Sequence, residues 1–491
     1  MESFISLLPQ IGKFLWNNII FLDTIFAIII VFFQRKEPKS VWAWLLILYA
    51  IPILGFVLYL LLGLNFHKER MFRVKELEGQ INEAIRQQEQ SIEDRRPPVK
   101  TVKFSSYSDL IYYNLDSAGA VVTDDNGVEI FTDGNEKFNA LIRDILNAKR
   151  FVFFQYYIIR DDELMERIAD AMIKKAAEGV KIYILYDSMG CRNTSKRFWR
   201  KLGEYDNIEI AEFFPALLRK LHLRVNYRNH RKIAIIDNEI GYVGGYNVGR
   251  EYIDKSRKFG HWRDTHFRIT GTEVTALAIR FAMDYDYASR ENLFSNADFF
   301  KPVEGDRESG VTMQIISSGP DSTLQNIRNN YLRLINKARK SIYIQTPYFI
   351  PDEAILTALL IAVHSGIEVN VMIPCKPDHP FVYWATYSYV GELVQAGANC
   401  YTYDNGFLHA KGMIVDEEIV CYGTANMDIR SFALNFEVNA IIYNARIAKE
   451  MTRIFRDDVV KSTRITKDTY NRRGLWLRFK EQFCRLLSPL L

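Results

Sequence analysis

The sequence predicts an α/β protein of two similar lobes, each a mixed β-sheet flanked by helices, behind an N-terminal transmembrane hairpin. Three observations carry this expectation: two long apolar stretches open the chain, a strand–helix–strand unit occurs twice, and a His-x-Lys…Asp motif also occurs twice. The units follow in order: a membrane anchor with two apolar helices (1–67), a charged linker (68–100), a first lobe (101–305), a second lobe (306–473) and an amphipathic C-terminal helix (474–491). A length of 491 residues suits several units rather than one compact domain. With 48% hydrophobic and 25% charged residues the chain belongs with folded rather than disordered proteins.

Phe14 to Phe33 is mostly apolar, interrupted early by Asn17, Asn18 and Asp23. Val41 to Leu64 carries no charge. Each is long enough for a lipid span, and in lipid Pro52 and Gly55 predict a kink rather than an end. A cleaved leader fits poorly, because no small-x-small cleavage site follows the first stretch and a second apolar stretch comes at once. Basic residues flank both ends of the second segment: Arg35, Lys36 and Lys39 before it, Lys68, Arg70, Arg73 and Lys75 after it. Two full spans and a shallow re-entrant hairpin both stay open on that pattern. Cys191, Cys375, Cys400, Cys421 and Cys484 are odd in number and lack metal-ligand spacing, so reduced thiols and a cytosolic catalytic region are expected.

From residue 68 to 100 the chain is rich in Lys, Glu, Gln and Arg and stops at Pro97-Pro98, as a solvated linker would. Beyond it the repeat begins. Ala148 to Gln155 matches Ala338 to Gln345, a helix end followed by a buried strand. Each copy continues through an aromatic pair (Tyr156-Tyr157, Tyr348-Phe349) and an Asp-Glu that opens a helix (Asp162-Glu163, Asp352-Glu353). A glycine (Gly179, Gly366) then ends the helix, and an apolar strand follows.

Later in each copy comes the chemistry. His230-Arg-Lys232 leads to Asp237, Gly244-Gly245 and Asn247; His409-Ala-Lys411 leads to Asp416, Gly423-Thr424 and Asn426, with identical spacing throughout. A single H-x-K-x4-D would occur roughly 0.02 times by chance in a chain with this many histidines, so two matched copies are not accidental. Residues i and i+2 of a strand face one side, which aims each His and Lys into one cavity if the lobes pack face to face. Two imidazoles, two ammoniums and two carboxamides suit a tetrahedral phosphodiester: Lys232, Lys411, Asn247 and Asn426 would hold its oxygens, and the imidazoles would attack and protonate. Asp264 and Glu437 are placed to orient the two histidines. Asp237 and Asp416 complete the catalytic motifs, yet at hairpin turns their expected work is to hold the local backbone. Zinc is disfavoured, since a neighbouring Lys repels the cation and no third ligand has suitable spacing. His261, His266 and His364 lack any such pattern; His379, in an aromatic run, is a candidate for the substrate entrance, and Tyr156, Tyr157 and Tyr348 read equally as packing or contact.

The paired motifs resemble the HKD motifs of the phospholipase D superfamily. More narrowly, Pro38-Lys39-Ser40-Val-Trp-Ala-Trp44, Pro347 to Glu353, Lys376 to Trp384, Gly406 to Lys411 and Gly423 to Ser431 are similar to the bacterial cardiolipin synthase family. That resemblance implies two phospholipase D-like lobes and transfer of a phosphatidyl group from one phosphatidylglycerol to another, giving cardiolipin and glycerol through a phosphatidyl-histidine. It implies His230 as nucleophile and His409 as acid and then base, with no metal or other cofactor. Gly245 departs from a superfamily pattern that often has Ser, while Thr424 keeps a hydroxyl. The expected setting is a bacterial cell membrane, multi-pass, with anionic lipid as partner and no nucleic acid. A net charge of +4 agrees with that setting. Alternatives are a phospholipase D or phosphatidyltransferase with another acceptor, a phosphodiesterase or nuclease, and a lipid-binding scaffold. Oligomeric state is left open. The last segment puts Trp476, Phe479, Phe483, Leu486 and Leu487 on one stripe, with Arg478, Gln482 and Arg485 opposite, an arrangement suited to an interface with lipid.

Overall fold

The computed structural model describes residues 38–51, 85–91, 104–214, 227–322 and 324–488, with isolated positions 21, 24, 25, 27, 28 and 55. Of the anchor expected at Phe14–Phe33 and Val41–Leu64, the helix Pro38–Ala50 and a few single residues are described; the remainder, with most of the 68–100 linker, lies outside the described residues. Among the described residues no helix is long and apolar enough to cross a membrane.

The first half of the repeat holds β1 (Thr123–Phe131), β2 (Phe151–Tyr156), β3 (Lys181–Asp187), β4 (Ile208–Phe213), β5 (Arg228–Asn229), β6 (Ile233–Ile236), β7 (Ile240–Gly244), β8 (Trp262–Arg263) and β9 (His266–Thr270). The second half holds β10 (Val311–Ser318), β11 (Ser341–Gln345), β12 (Phe349–Ile350), β13 (Glu368–Pro374), β14 (Asn399–Tyr403), β15 (Phe407–Leu408), β16 (Gly412–Val415), β17 (Ile419–Gly423), β18 (Met427–Asp428), β19 (Asn435–Ile442) and β20 (Ser462–Ile465). Within each half the order is the same. β1-β9-β7-β6-β2-β3-β4 is mirrored by β10-β19-β17-β16-β11-β13-β14, and β20 adds an edge. The halves do not carry two separate sheets: β1 and β10 pair antiparallel, with an irregularity between Thr123 and Asn126, and join them into one.

Local chemistry explains the elements. β2 and β11 are buried along their whole length, as strands covered on both faces must be. Asp162 and Asp352 cap the helices Glu163–Ala177 and Glu353–His364 by accepting backbone N–H bonds of the first turn. Gly179 and Gly366, at φ +94° and +84°, take the left-handed step that ends each helix. The helix Phe104–Ala118 belongs by sequence with the first lobe, yet it packs on the second half: Tyr107 donates to Glu418 at 3.0 Å and Asn114 to Gln314 at 3.1 Å. One apolar core runs through both halves, from Phe153 stacked on Phe281 at 4.5 Å to Tyr343 against Phe455 at 5.2 Å.

Each motif aspartate sits at a two-residue turn in which both central residues have positive φ: Asp237 and Asn238 at 57° and 59°, Asp416 and Glu417 at 55° and 55°. That is the primed turn a twisted hairpin requires, and Asp and Asn tolerate it better than branched residues. The Asp237 carboxylate accepts from the backbone N–H groups of Lys149, Arg150 and Phe151 at 2.7–2.9 Å. Asp416 does the same for Arg339, Lys340 and Ser341. Each therefore ties the hairpin that follows a His-x-Lys motif to the start of β2 or β11. Asp416→Ala leaves three donors without their acceptor and is expected to cost about 2–4 kcal/mol in urea unfolding while the folded fraction keeps turning over. Loss of turnover at unchanged stability would assign the carboxylate a chemical role instead.

Candidate active site

The His-x-Lys segments do not lie on the strands that follow them. Both occupy the short connections after β5 and after β15, and the ladders begin at Ile233 and Gly412. What fixes them is the opposite half. β5 runs parallel to the start of β19, with Arg228 opposite Asn435 and Asn229 opposite Phe436. β15 runs parallel to β8, with Phe407 opposite Trp262 and Leu408 opposite Arg263. One step further, the registers set His230 beside Glu437 and His409 beside Asp264, and the backbone bonds His230 N–H to Phe436 O (3.0 Å) and His409 N–H to Arg263 O (2.7 Å) hold those registers.

The orienting carboxylates are consequently exchanged between halves. His230 Nδ1 lies 2.9 and 3.0 Å from the Glu437 oxygens, and His409 Nδ1 lies 2.7 Å from Asp264 Oδ2. At His230 the carboxylate on Nδ1 favours the tautomer with its proton there and leaves Nε2 facing the cavity bare; at His409 Nδ1 is shared between Asp264 and Lys411 Nζ, the latter at 2.7 Å. Neither histidine is sealed off: they are 9% and 8% exposed, while Asp264 and Glu437 are fully buried. Lys232 donates to His230 O at 2.5 Å and stands 5.4 Å above the Tyr157 ring, which meets the His230 ring at 4.9 Å. Lys411 donates to His409 O and lies 3.8 Å from Asp264.

Two buried lysines share one cavity, and burial dominates their electrostatics. Burial, with Lys411 opposing, pushes Lys232 well below its ordinary range, and burial lowers Lys411 to about 8 despite Asp264 and Glu437. Burial first, then the lysine charges, lowers both His230 and His409 to about 4 against the pull of their carboxylates. Burial alone would raise Asp264, but Lys411 and His409 hold it below the usual carboxylate range. The site is a desolvated cage in which an entering anion would stabilise the charged forms of the lysines and imidazoles.

The two carboxamides differ. Asn247 Oδ1 accepts from Ile158 N–H at 3.1 Å and its Nδ2 donates to Tyr252 at 3.3 Å, whereas the buried Oδ1 of Asn426 has no hydrogen-bond partner among the described residues. Tyr156 is a core residue bonded to Lys137 at 2.8 Å; Tyr157 belongs to the site wall. Tyr348 donates to Asp378, next to His379, whose side chain is 71% exposed. His266 is fully buried between Tyr242 and Tyr246, and His261 pairs with Asp254 at 2.8 Å.

Sequence reasoning missed the buttress behind the histidines. Asp284 accepts from Arg231 (2.5 and 2.6 Å), Gln155 (2.7 Å) and Asn229 (2.9 Å); in the other half Asp458 accepts from Arg263 and Gln345, both at 2.9 Å. Gln155 and Gln345 were visible as a repeated pair, but the two aspartates stand at unequal distances from their motifs and gave no spacing signal.

Gly245 also gains a reason. A Cβ there would lie 1.9 Å from Asp264 Oδ1, so the Asp264 carboxylate occupies the room a side chain would need. At the equivalent position Thr424 Oγ1 donates to Glu437 Oε2 at 2.6 Å. In the first half the Thr265 backbone N–H, 2.8 Å from Asp264 Oδ1, supplies the bond that the hydroxyl supplies in the second. No orienting donor is lost; glycine goes with the short acid and threonine with the long one.

The family described as "Cardiolipin synthase, PLD-like domain" matches residues 141–262 and 331–459, and "Phospholipase_D-nuclease N-terminal" matches residues 22–63. The chain is 47% identical over 483 residues to the major cardiolipin synthase of Bacillus subtilis, covering 98% of this chain and 100% of that one. It is 46% identical over 475 residues to a cardiolipin synthase of Listeria monocytogenes, covering 96% and 98%. In fold it is similar to the crystal structure of a phosphatidylserine synthase from Haemophilus influenzae, with a TM-score of 0.61 at 13% identity, covering 78% of this chain and 97% of that one.

Two outcomes are expected. Gly245→Thr alone should displace Asp264 and cut turnover by about 100-fold, comparable to losing a second-layer partner, while Gly245→Thr with Asp264→Glu should recover much of it. Simple additivity in a double-mutant cycle would refute the coupling. Second, an anion opposes the lysine charges and so raises His409 from about 4, which means proton uptake on binding near pH 6 and none below about pH 4. Calorimetry with a phosphodiester in buffers of different ionisation heat, on wild type and His409→Gln, measures this directly.

Proposed function

Because the chain belongs to the cardiolipin synthase family with phospholipase D-like domains, we propose that this cavity carries out phosphatidyl transfer between two phosphatidylglycerol molecules. The enzyme is a phosphatidyltransferase, a cardiolipin synthase. The observation that carries the mechanism is the pair of imidazoles, each held at Nδ1 by a carboxylate of the other half, around two buried lysines.

In the first step His230 Nε2 attacks phosphorus of the donor and the bond to the glycerol headgroup breaks. His409, protonated at Nε2 when the anionic headgroup enters, gives that proton to the departing glycerol oxygen. Lys232, Lys411 and an Nδ2–H of Asn426 donate to the non-bridging oxygens and take up developing charge. Asn247, bonded to Ile158 and Tyr252, closes the wall behind them. Glu437 stabilises the positive charge that phosphatidylation leaves on the His230 ring. In the second step His409 takes the proton of a glycerol hydroxyl on the acceptor, the resulting oxygen attacks phosphorus, and His230 leaves. Cardiolipin and glycerol are the products, and both imidazoles return to their starting state. The N-terminal stretch is read as the lipid anchor, and the five free thiols agree with a cytosolic catalytic region.

The division of labour is testable because only one histidine is the nucleophile. With a phosphodiester donor whose leaving group needs no proton, His409→Ala is expected to accumulate acid-labile phosphatidyl-protein and stall, while His230→Ala takes up no label. Label on the His230 variant alone would reverse the roles. Label on neither, with sequential kinetics in the wild type, would refute the covalent intermediate.

A further inference from the structure

The C-terminal helix Leu475–Leu486 is amphipathic, and it is docked with its apolar stripe outward. Leu475, Trp476, Phe479, Phe483 and Leu486 are 83%, 67%, 59%, 47% and 79% exposed. The rings of Trp476, Phe479 and Phe483 stack along that face at 5.5 and 6.2 Å. The helix is held by its other side. Cys484 is buried with Ile350 and Ala385, and the buried Glu481 accepts from Arg473 at 2.9 Å. Arg485 pairs with Glu392 and covers the Tyr389 ring at 4.4 Å. A terminal helix that only completed its own core would turn these residues the other way.

The surroundings specify what covers the stripe. Lys480 flanks it, lying 5.5 Å from the Trp476 ring and 5.6 Å from Trp384, Arg472 and Arg478 are exposed on the same terminal segment, and the one acidic residue of the helix is buried and paired. Two copies meeting on this face would bring like charges together, whereas anionic headgroups would neutralise them. The helix packs on Pro380–Ala396, whose first turn exposes Phe381 (55%) and whose N-cap is His379. Asp378 just before it accepts from Tyr348, whose neighbour Phe349 lies opposite Met427, the residue after Asn426 of the site.

We propose that the face formed by Leu475–Leu486 and Phe381 is a second membrane contact, independent of the N-terminal segment, that lies among the headgroups of an anionic bilayer and turns the Tyr348–Asp378 side of the catalytic cavity toward it. The purpose assigned to this contact rests on the substrate being a membrane lipid; the contact itself does not. A lipid then reaches the lysines by lifting only its headgroup, with its acyl chains still in the bilayer.

The test uses the full-length protein in nanodiscs of phosphatidylglycerol and phosphatidylcholine containing brominated lipid. The difference between wild type and Trp476→Tyr isolates the Trp476 emission. It is expected to be quenched, and less so at high salt or in phosphatidylcholine alone. Unquenched Trp476 emission overturns the proposal. So does quenching replaced by concentration-dependent cross-linking between copies, which would make a second chain the occupant. Phe479→Ser with Phe483→Ser should lower kcat/KM on bilayer phosphatidylglycerol about tenfold and leave turnover of dissolved short-chain phosphatidylglycerol unchanged. Equal loss on both substrates would make the helix a structural brace. Quenching without any transferase activity would leave this contact standing and refute the proposed reaction instead.

Discussion

Everything at the centre of this molecule depends on two parallel contacts, each only two residues long. β5 against β19 and β15 against β8 carry each histidine across to the half that owns its carboxylate. A residue on an extended segment has its direction fixed by register, so the backbone decides which acid meets which imidazole before any side chain does. The partners are 207 and 145 positions apart in the chain, and a shift of one residue in either contact would aim the histidine away from its acid. The single sheet joined at β1 and β10 and the core shared by both halves are what make so short a contact dependable. Arg231 adds a brace across the same seam, donating to Asp284 with one group and to Glu437 O with another.

Burial governs the charges at the same centre. Burying two ammoniums together is costly, and the protein meets only part of that cost with Asp264 and Glu437. Neutral imidazoles and lysines pushed down in pKa describe a site that is least comfortable when empty. The same residues would be well matched to a phosphodiester of the proposed reaction. The carboxylates thus have two duties: they orient the rings, and they keep the cage from being intolerable in the absence of substrate. Their complete burial is what gives the second duty its strength.

How much of this was legible in the sequence depended on range. The hairpins were readable because a local rule governs them: Asp237-Asn238 turns with positive φ between two short apolar runs. The helix starts at Asp162 and Asp352 and the stops at Gly179 and Gly366 were legible for the same reason. His230, Lys232, His409 and Lys411 could be grouped because their spacing is duplicated. The exchange of acids between halves could not be read, since it is a property of long-range register with no trace in local pattern. The location of the His-x-Lys segments before their strands was missed because extended connections and strands look alike in sequence. The outward stripe of the last helix illustrates the limit well: periodicity gives the stripe, and only packing tells which way it faces.

The fit of Gly245 against Asp264 has a consequence for how such a chain can change over generations. Gly-Asp in one half and Thr-Glu in the other are two solutions to one packing problem, and each excludes the other's components. A lineage that acquired the hydroxyl first would crowd the acid; one that lengthened the acid first would lack the room or the donor to seat it. Neither intermediate keeps the histidine of the opposite half aligned, so the route between the solutions crosses a fitness valley. Descendants of a duplication would be held to whichever pair each half first adopted, and the difference between the halves would persist as an inherited asymmetry long after its origin ceased to matter.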